Sequence, residues 1–359
     1  MKRLYLDWNA TAPLRPEARA AMAGAMDVLG NPSSVHAEGR AARALIERAR
    51  AQILAALGAE GQDLVFTSGS TEASALALAG RDLRCAEVEH DAIKAWCRPD
   101  LPVDGYGRVT VDDPARTALQ LANPETGVIQ DLPEGLAVTD LTQGFGKIPF
   151  AFNWTGARAG IVSAHKLGGP KGIGALVLRQ GDEVAARMRG GGQEMGRRAG
   201  TENLIGIAGF GAAAEAAARD LAEGVWEKVD EIRNILKSSL EASGETLYFP
   251  GSETAKDQAG IAATAAPKML PNTLSVIAPG WKGETQVMRM DLLGYAVSAG
   301  SACSSGKVRA SHVLTAMGWP EDQAGCALRV SIGPGVGKDD VLRFAEGWLG
   351  ALRKHRARH

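Results

Sequence analysis

The run Ala159-Gly160-Ile161-Val162-Ser163-Ala164-His165-Lys166-Leu167-Gly168-Gly169-Pro170-Lys171-Gly172-Ile173-Gly174-Ala175-Leu176-Val177-Leu178 sets how the rest of the chain is read. A short β-branched run ends in Ser163, His165 and Lys166. Glycines and Pro170 then force a turn into a second apolar strand, which puts one lysine at the mouth of a buried sheet. A lysine there is costly to bury. Desolvation favours its neutral amine, and a neutral amine attacks an aldehyde to form a Schiff base, so Lys166 is a candidate anchor for pyridoxal 5'-phosphate (PLP). Taken alone, a lysine beside glycine turns is most often a solvated surface residue, so its surroundings decide the matter.

The 359 residues, 45% hydrophobic and 23% charged, describe a globular chain long enough for one large domain plus a smaller one. A formal net charge of -1 and a pI near 6.6 argue against nucleic acid as the main partner. The amino terminus has no apolar signal core and no apolar run approaches membrane-spanning length, so a cytoplasmic location without membrane attachment is expected. Cys85, Cys97, Cys303 and Cys326 lie far apart with no Cys-x-x-Cys pair, which predicts a reducing compartment and neither a metal nor a disulfide framework.

Outward from the opening stretch, βα-like units recur. Asp63–Thr67 reads as a strand, Ser68-Gly-Ser-Thr-Glu72 as a small-residue turn and Ala73–Ala79 as a helix, an arrangement whose free N–H groups and hydroxyls suit phosphate. Further strands are expected at Leu83–Val88, Ala118–Ala122 and Leu136–Thr139, later ones near Thr246–Phe249, Asn272–Ala278 and Leu328–Ile332. His90, Asn123, Asp140, Gln143, Ser163, His165 and Lys166 all fall just after apolar runs, where open α/β sheets hold their ligands. Helices are expected at Pro16–Met26, Ala37–Leu57, to about Arg219, and from Val225 to Ala242, the last bridging two domains.

These motifs together resemble the cysteine desulfurases of the NifS/IscS type, in the class V aminotransferase group. The resemblance rests on Tyr5-Leu-Asp-Trp-Asn-Ala-Thr-Ala-Pro13, Gly30-Asn-Pro-Ser-Ser34, Phe66-Thr-Ser-Gly-Ser-Thr-Glu72, Glu89-His90, Asp140-Leu-Thr-Gln143, Ser163-Ala-His-Lys166, Gly196-Arg-Arg-Ala-Gly-Thr201, Ser298-Ala-Gly-Ser-Ala-Cys303-Ser-Ser and Leu328-Arg-Val-Ser-Ile-Gly. It covers nearly the whole chain. It implies the type I PLP-dependent transferase fold: α/β, with a large domain (13–224) whose mostly parallel central sheet is flanked by helices, and a smaller α+β domain (1–12 and 225–359).

The resemblance also implies roles. Lys166 matches the Schiff-base lysine, Asp140 the partner of the pyridine nitrogen, Gln143 the donor to the ring 3-oxygen, and His90 the histidine that stacks on the ring and moves protons. Ser70, Thr71, Ser163 and His165 would hold the phosphate, joined by Thr201 from the other subunit of a homodimer, with Asn123 near the ring. Arg329 would bind the substrate carboxylate through its planar fork, with Asn9 and Asn31 also on the substrate side. Cys303, in a small, polar loop resembling the long-loop subgroup, would attack the sulfur of L-cysteine, leaving alanine and a persulfide for a sulfur acceptor or iron-sulfur scaffold protein. No metal is expected. The family's second asparagine in Asn-Asn-Glu-x-Gly is Pro124 here, its usual asparagine after Thr-Glu is replaced, with Ala75 at that register, and its arginine after Ser-Leu-Gly is Pro334.

Other readings of the same motifs are a selenocysteine lyase or aminotransferase on this scaffold, and a non-catalytic sulfur-relay scaffold; retention of Lys166, Asp140, His90 and Cys303 speaks against the last. Gly144-Phe-Gly-Lys147 lacks the upstream glycine and following Ser/Thr of a P-loop.

Overall fold

The computed structural model describes residues 3–252, 267–300 and 310–358, so Cys303 lies outside the described residues. In chain order the elements are β1 (Leu4–Tyr5), α1 (Pro16–Met26), α2 (Ala37–Ala56), β2 (Asp63–Thr67), α3 (Ser70–Leu78), β3 (Arg84–Ala86), α4 (Asp91–Lys94), β4 (Arg98–Leu101), β5 (Ala118–Gln120), β6 (Val138–Asp140), β7 (Ala159–Ser163), β8 (Gly174–Leu178), α5 (Leu204–Ala222) and α6 (Val225–Glu241). They continue with β9 (Thr273–Ile277), α7 (Gly283–Leu292), β10 (Tyr295–Ala296), β11 (Ser298–Ala299), α8 (His312–Ala316), α9 (Glu321–Ala324), β12 (Ala327–Ser331) and α10 (Lys338–Arg356).

The main sheet has five strands in the order β2-β8-β7-β6-β5, and the bridge between Arg84 and Thr117 lays the β3–β4 pair alongside β5. Its pairings are parallel except those of β8, which runs against both β7 and β2. The expected mostly parallel sheet is therefore present. Strands β7 and β8 are buried along their whole length because helices cover both faces. On one face, Ala18, Ile46, Ile53 and Phe210 of α1, α2 and α5 meet Leu119, Val162 and Val177; on the other, Ala73, Leu76 and Ile93 of α3 and α4 meet Val65, Ile161 and Leu176. Small residues on α5 allow the helices to approach closely, as at Gly211, where a Cβ would sit 2.8 Å from that of Ala49.

A second core gathers Leu6 near β1 with Trp226 and Leu240 of α6, Leu274 and Val276 of β9, Trp281, Leu328 of β12 and Trp348 of α10. Here β11-β12-β9 form an antiparallel sheet, β1 pairs with β10, and a bridge joins Asp7 to Ser331. A smaller cluster, including Val88, Leu101, Val313, Trp319 and Cys326, lies between β3–β4 and β9 with β12.

Three local expectations differ from the structure. Thr246–Phe249 contributes a single bridge, Tyr248 to Ile277, in place of a strand, whereas Arg98–Leu101 is a strand that its polar sequence did not announce. The cysteines are not all apart, because pairing of β3 with β4 brings Cys85 and Cys97 together in one apolar cluster. Cys326 is a packed core thiol as read, donating to the Asp322 carbonyl. No helix among the described residues is long and apolar enough to cross a membrane.

Candidate active site

Strand register lines up the sequence's polar exits. Gln120 pairs with Asp140, Asp140 with Ile161, Ser163 with Gly174 and Thr67 with Gly174, so the carboxyl ends of β2, β5, β6 and β7 open on one edge of the sheet. The chain leaves β7 in a single tight turn, Ala164–Lys166, which holds Lys166 close to that edge. Its Nζ donates to the carbonyl oxygens of Asn9 at 2.6 Å and Ala10 at 3.0 Å. Gln143 Nε2 donates to the same Asn9 oxygen at 3.0 Å. Lys166 and Gln143 thus meet on one backbone carbonyl.

Asn9 is a buried hub. Its side-chain oxygen accepts from Lys147 Nζ and Asn272 Nδ2, while its Nδ2 donates to Pro124 O and Thr273 Oγ1. These bonds commit its amide to the protein, so Asn9 braces the residues around it. Lys147, weighed in the sequence only as the end of a P-loop-like string, has a place here. It is fully enclosed and donates to Gln143 Oε1 at 2.7 Å and Asn9 Oδ1 at 3.2 Å. Burial pushes its ammonium well below the ordinary value, and Lys166 and Arg329 add to the shift. The signal was there in the spacing: Gln143 and Lys147 are four apart, and i,i+4 residues meet where the chain turns helically.

At the end of β2 the chain turns through Gly69, with φ 158° and ψ 179°, before α3 begins at Ser70. A Cβ on Gly174 would lie 2.8 Å from the Gly69 backbone, so glycine is needed where β8 crosses this turn. The first-turn N–H groups of Ser70 and Thr71 have no backbone acceptor among the described residues. Glu72 accepts from Ser68 N at 2.7 Å and pairs with Arg198 at 2.9 Å, and these bonds hold its carboxyl below the usual range against burial. That ion pair draws the Gly196–Thr201 motif towards the turn, and Thr201 shares a cleft of about 250 Å³ with Thr67, Ser68 and Gly172. His165 meets Thr11 Oγ1 at 3.2 Å. Burial pushes its pKa down to about 4, with Lys166, Lys171 and Lys147 adding, so its ring is neutral at neutral pH.

His90 caps α4, its Nδ1 accepting from Ala92 N at 3.1 Å. Asp140 accepts from Thr142 N through Oδ1. Behind them Glu89 is wholly buried, and burial pushes its carboxyl well above the usual range, the Asp140 charge adding to the push against a hydrogen bond from Gln120 N. Asn123 is turned inward: it donates to Val88 O and accepts from Glu125 N and Thr126 N, so it shapes this loop. Arg329 donates to Pro124 O and pairs with Asp7 at 2.8 Å, leaving a buried Nε without an acceptor among the described residues. Asn31 is exposed and accepts from Ser33 N, and no described contact joins it to the residues around Lys166.

This donor set suits PLP. A lysine held by carbonyls, a strand-end carboxylate, a neutral histidine and a helix start with unfilled N–H groups answer the aldehyde, the pyridine nitrogen and the phosphate. Among the described residues no cluster of three or more His, Cys, Asp or Glu could hold a metal ion.

Comparison with known proteins agrees in extent. The family Aminotransferase class-V matches residues 4–95 and 110–344. The cysteine desulfurase IscS of Dictyoglomus turgidum is 34% identical over 378 residues, covering 95% of this chain and 92% of that protein. A cysteine desulfurase of Cereibacter sphaeroides is 36% identical over 384 residues, covering 96% and 95%. Among solved structures, a NifS-like protein from Rickettsia africae superposes with a TM-score of 0.83 at 28% identity, over 98% of this chain and 99% of that one. With its fold, its strand-end lysine and its full-length relatives in agreement, the chain belongs to the class-V aminotransferase family and, within it, to the NifS/IscS-type cysteine desulfurases.

Proposed function

We propose that the protein is a PLP-dependent cysteine desulfurase that takes sulfur from L-cysteine, releases L-alanine and leaves a persulfide on Cys303 for an acceptor protein. The reading is carried by the meeting of Lys166 and Gln143 on the Asn9 carbonyl, at the carboxyl edge of the sheet, in a chain whose full-length relatives are cysteine desulfurases. When bound, PLP supplies an electron sink for the electrons released at the substrate Cα.

The chain's own residues do the rest. Lys166 would hold the cofactor, and Asn9 O and Ala10 O hold its amine at the sheet edge. Asp140 would pair with the pyridine nitrogen, Gln143 would use its second N–H on the 3-oxygen, and His90 would cover the ring face. Ser70, Thr71, Ser163 and His165 would bind the phosphate, with Thr201 of the partner subunit completing it in a homodimer. Lys166 or His90 would move the Cα proton. The orphan Arg329 Nε would gain its acceptor from the substrate carboxylate while Asp7 keeps the guanidinium in plane. Cys303 would then take the substrate sulfur: a sulfur–sulfur bond forms, the carbon–sulfur bond breaks, and the carbon receives a proton to become alanine. The product would serve iron-sulfur assembly or thiolation in the cytoplasm.

The test is to purify the protein, record its visible spectrum, and incubate it with L-cysteine and a thiol reductant while assaying alanine and sulfide. Yellow protein giving both in equal amounts is expected. Cys303→Ala should keep the colour and lose the persulfide, and Lys166→Ala should lose covalent attachment of the cofactor. Sulfur transfer retained by Cys303→Ala would overturn the reading.

A further inference from the structure

Cys85 and Cys97 lie outside the machinery described above, yet the fold brings them together. Strand β3 pairs in parallel with β4, with Arg84 opposite Arg98 and Arg98 N bonded to Leu83 O. Side chains alternate along a strand, so Arg84 and Arg98 share one face, where they pair with Asp100, Asp112 and Asp82. Cys85, one residue after Arg84, and Cys97, one residue before Arg98, share the other face. Both belong to the same apolar cluster, with Leu83 and Ile93, and both are free thiols. The two thiols lie close enough to perturb one another.

We propose that Cys85 and Cys97 are a redox site, a dithiol that a peroxide converts to an intrachain disulfide. The two thiols are unequal. The interaction with Cys97, together with burial, pushes Cys85 well above its ordinary range, while the same interaction and the nearby Arg81 guanidinium hold Cys97 below it against burial. Cys97 is also the accessible one, 9% exposed where Cys85 is sealed at 0%. Cys97 sulfur therefore attacks the peroxide, the oxygen–oxygen bond breaks, one oxygen stays as a sulfenic acid, and the other leaves as water with the thiol proton. Cys85 sulfur then displaces the sulfenic oxygen as a second water. The two thiols lose two electrons, which the peroxide gains. The disulfide closes a loop that contains Glu89 and His90, and so ties the histidine's segment to the sheet.

The experiment treats the full-length protein with hydrogen peroxide, denatures it in an alkylating reagent, and maps the peptides by mass. A cross-linked pair carrying Cys85 and Cys97, lighter by two hydrogens, is expected in the wild type and in Cys303→Ser, and is expected to be absent from Cys97→Ser. The denatured thiol count should fall by two in Cys303→Ser. If both cysteines are still alkylated after peroxide has oxidised Cys303 in the wild type, or if their only disulfides join different chains, the proposal is overturned. Because Cys303→Ser retains the pair, failure here is separable from failure of the desulfurase reading. The wild-type map stands even where Cys97→Ser fails to fold.

Discussion

Glu125 shows how one carboxyl reports on its surroundings. It is 3% exposed, a Cβ on Gly300 would sit 2.1 Å from its Oε1, and burial, opposed by Ser311 and Arg329, pushes it up to about 7. Its unfolded carboxyl titrates near the ordinary 4.5, so between those values the folded state keeps a proton that the unfolded state has lost. The raised value contributes stability that is fully present below the unfolded pKa and is lost as pH rises through the folded one. Glu125→Gln should remove that loss. The stability of wild type relative to variant should fall by about 3 kcal/mol between about pH 4 and about pH 8, read from urea midpoints. A parallel pair of pH profiles would sink the prediction. Lys166, Asp140 and Gln143 were legible in the sequence because each stands just past an apolar run. Asn9 and Lys147 were not read as a hub, because their meeting depends on strands hundreds of residues apart, as in the bond between Asn9 N and Ser331 Oγ.

Among the elements, the Gly190–Thr201 stretch is held by charge where its glycines supply little packing. Glu194 and Met195 both adopt left-handed backbone, with φ of 48° and 55°. Glu194 is repaid by two bonds from Arg50, at 2.9 and 3.0 Å, and one from Phe66 N at 2.9 Å, while the Arg50 guanidinium lies over the Phe66 ring. Arg197 reaches Asp63 and Glu183, and Arg198 reaches Glu72. Glu194→Ala would leave Arg50 only Glu47 and the Leu64 carbonyl and would take the side-chain acceptor from the Phe66 amide, and should cost about 2–3 kcal/mol in chemical denaturation. Glu194→Gln should recover part of that, and a neutral result for Glu194→Ala would show the strap is held otherwise. The same contrast separates what could be read from sequence at this scale. The apolar runs of β7, β8, β9 and β12 and the helices α1, opened by Pro16, and α2, capped by His36, fall within a residue or two of expectation, since burial wrote their pattern. Strand β4, Arg-Pro-Asp-Leu, has three exposed residues and a proline, which an edge strand tolerates and a pattern search rejects. Tyr248 has strand-like chemistry but, among the described residues, finds one bridging partner, Ile277.

For the whole molecule, we propose two units, residues 13–224 and residues 1–12 with 225–359, supported by separate apolar clusters on the main sheet and around Trp281 and Trp348. Trp348 is enclosed and donates to Gln286, so Trp348→Ala should cost about 3–5 kcal/mol and lower one calorimetric transition while leaving another in place. A single transition that shifts as a whole would argue for one cooperative unit. The Asn9 junction then has a consequence for how the chain is made. Synthesis delivers Asn9 early, Gln143, Lys147 and Lys166 midway, and Asn272, Thr273 and Ser331 last, so on the ribosome the main sheet can condense around its lysine before the second core exists. The segment from Tyr5 to Asn9 must wait for strands translated near the end, and a pocket braced by Asn9 stays unfinished until they arrive. A nascent chain would therefore carry Lys166 and Gln143 on an unbraced Asn9 until it is nearly complete.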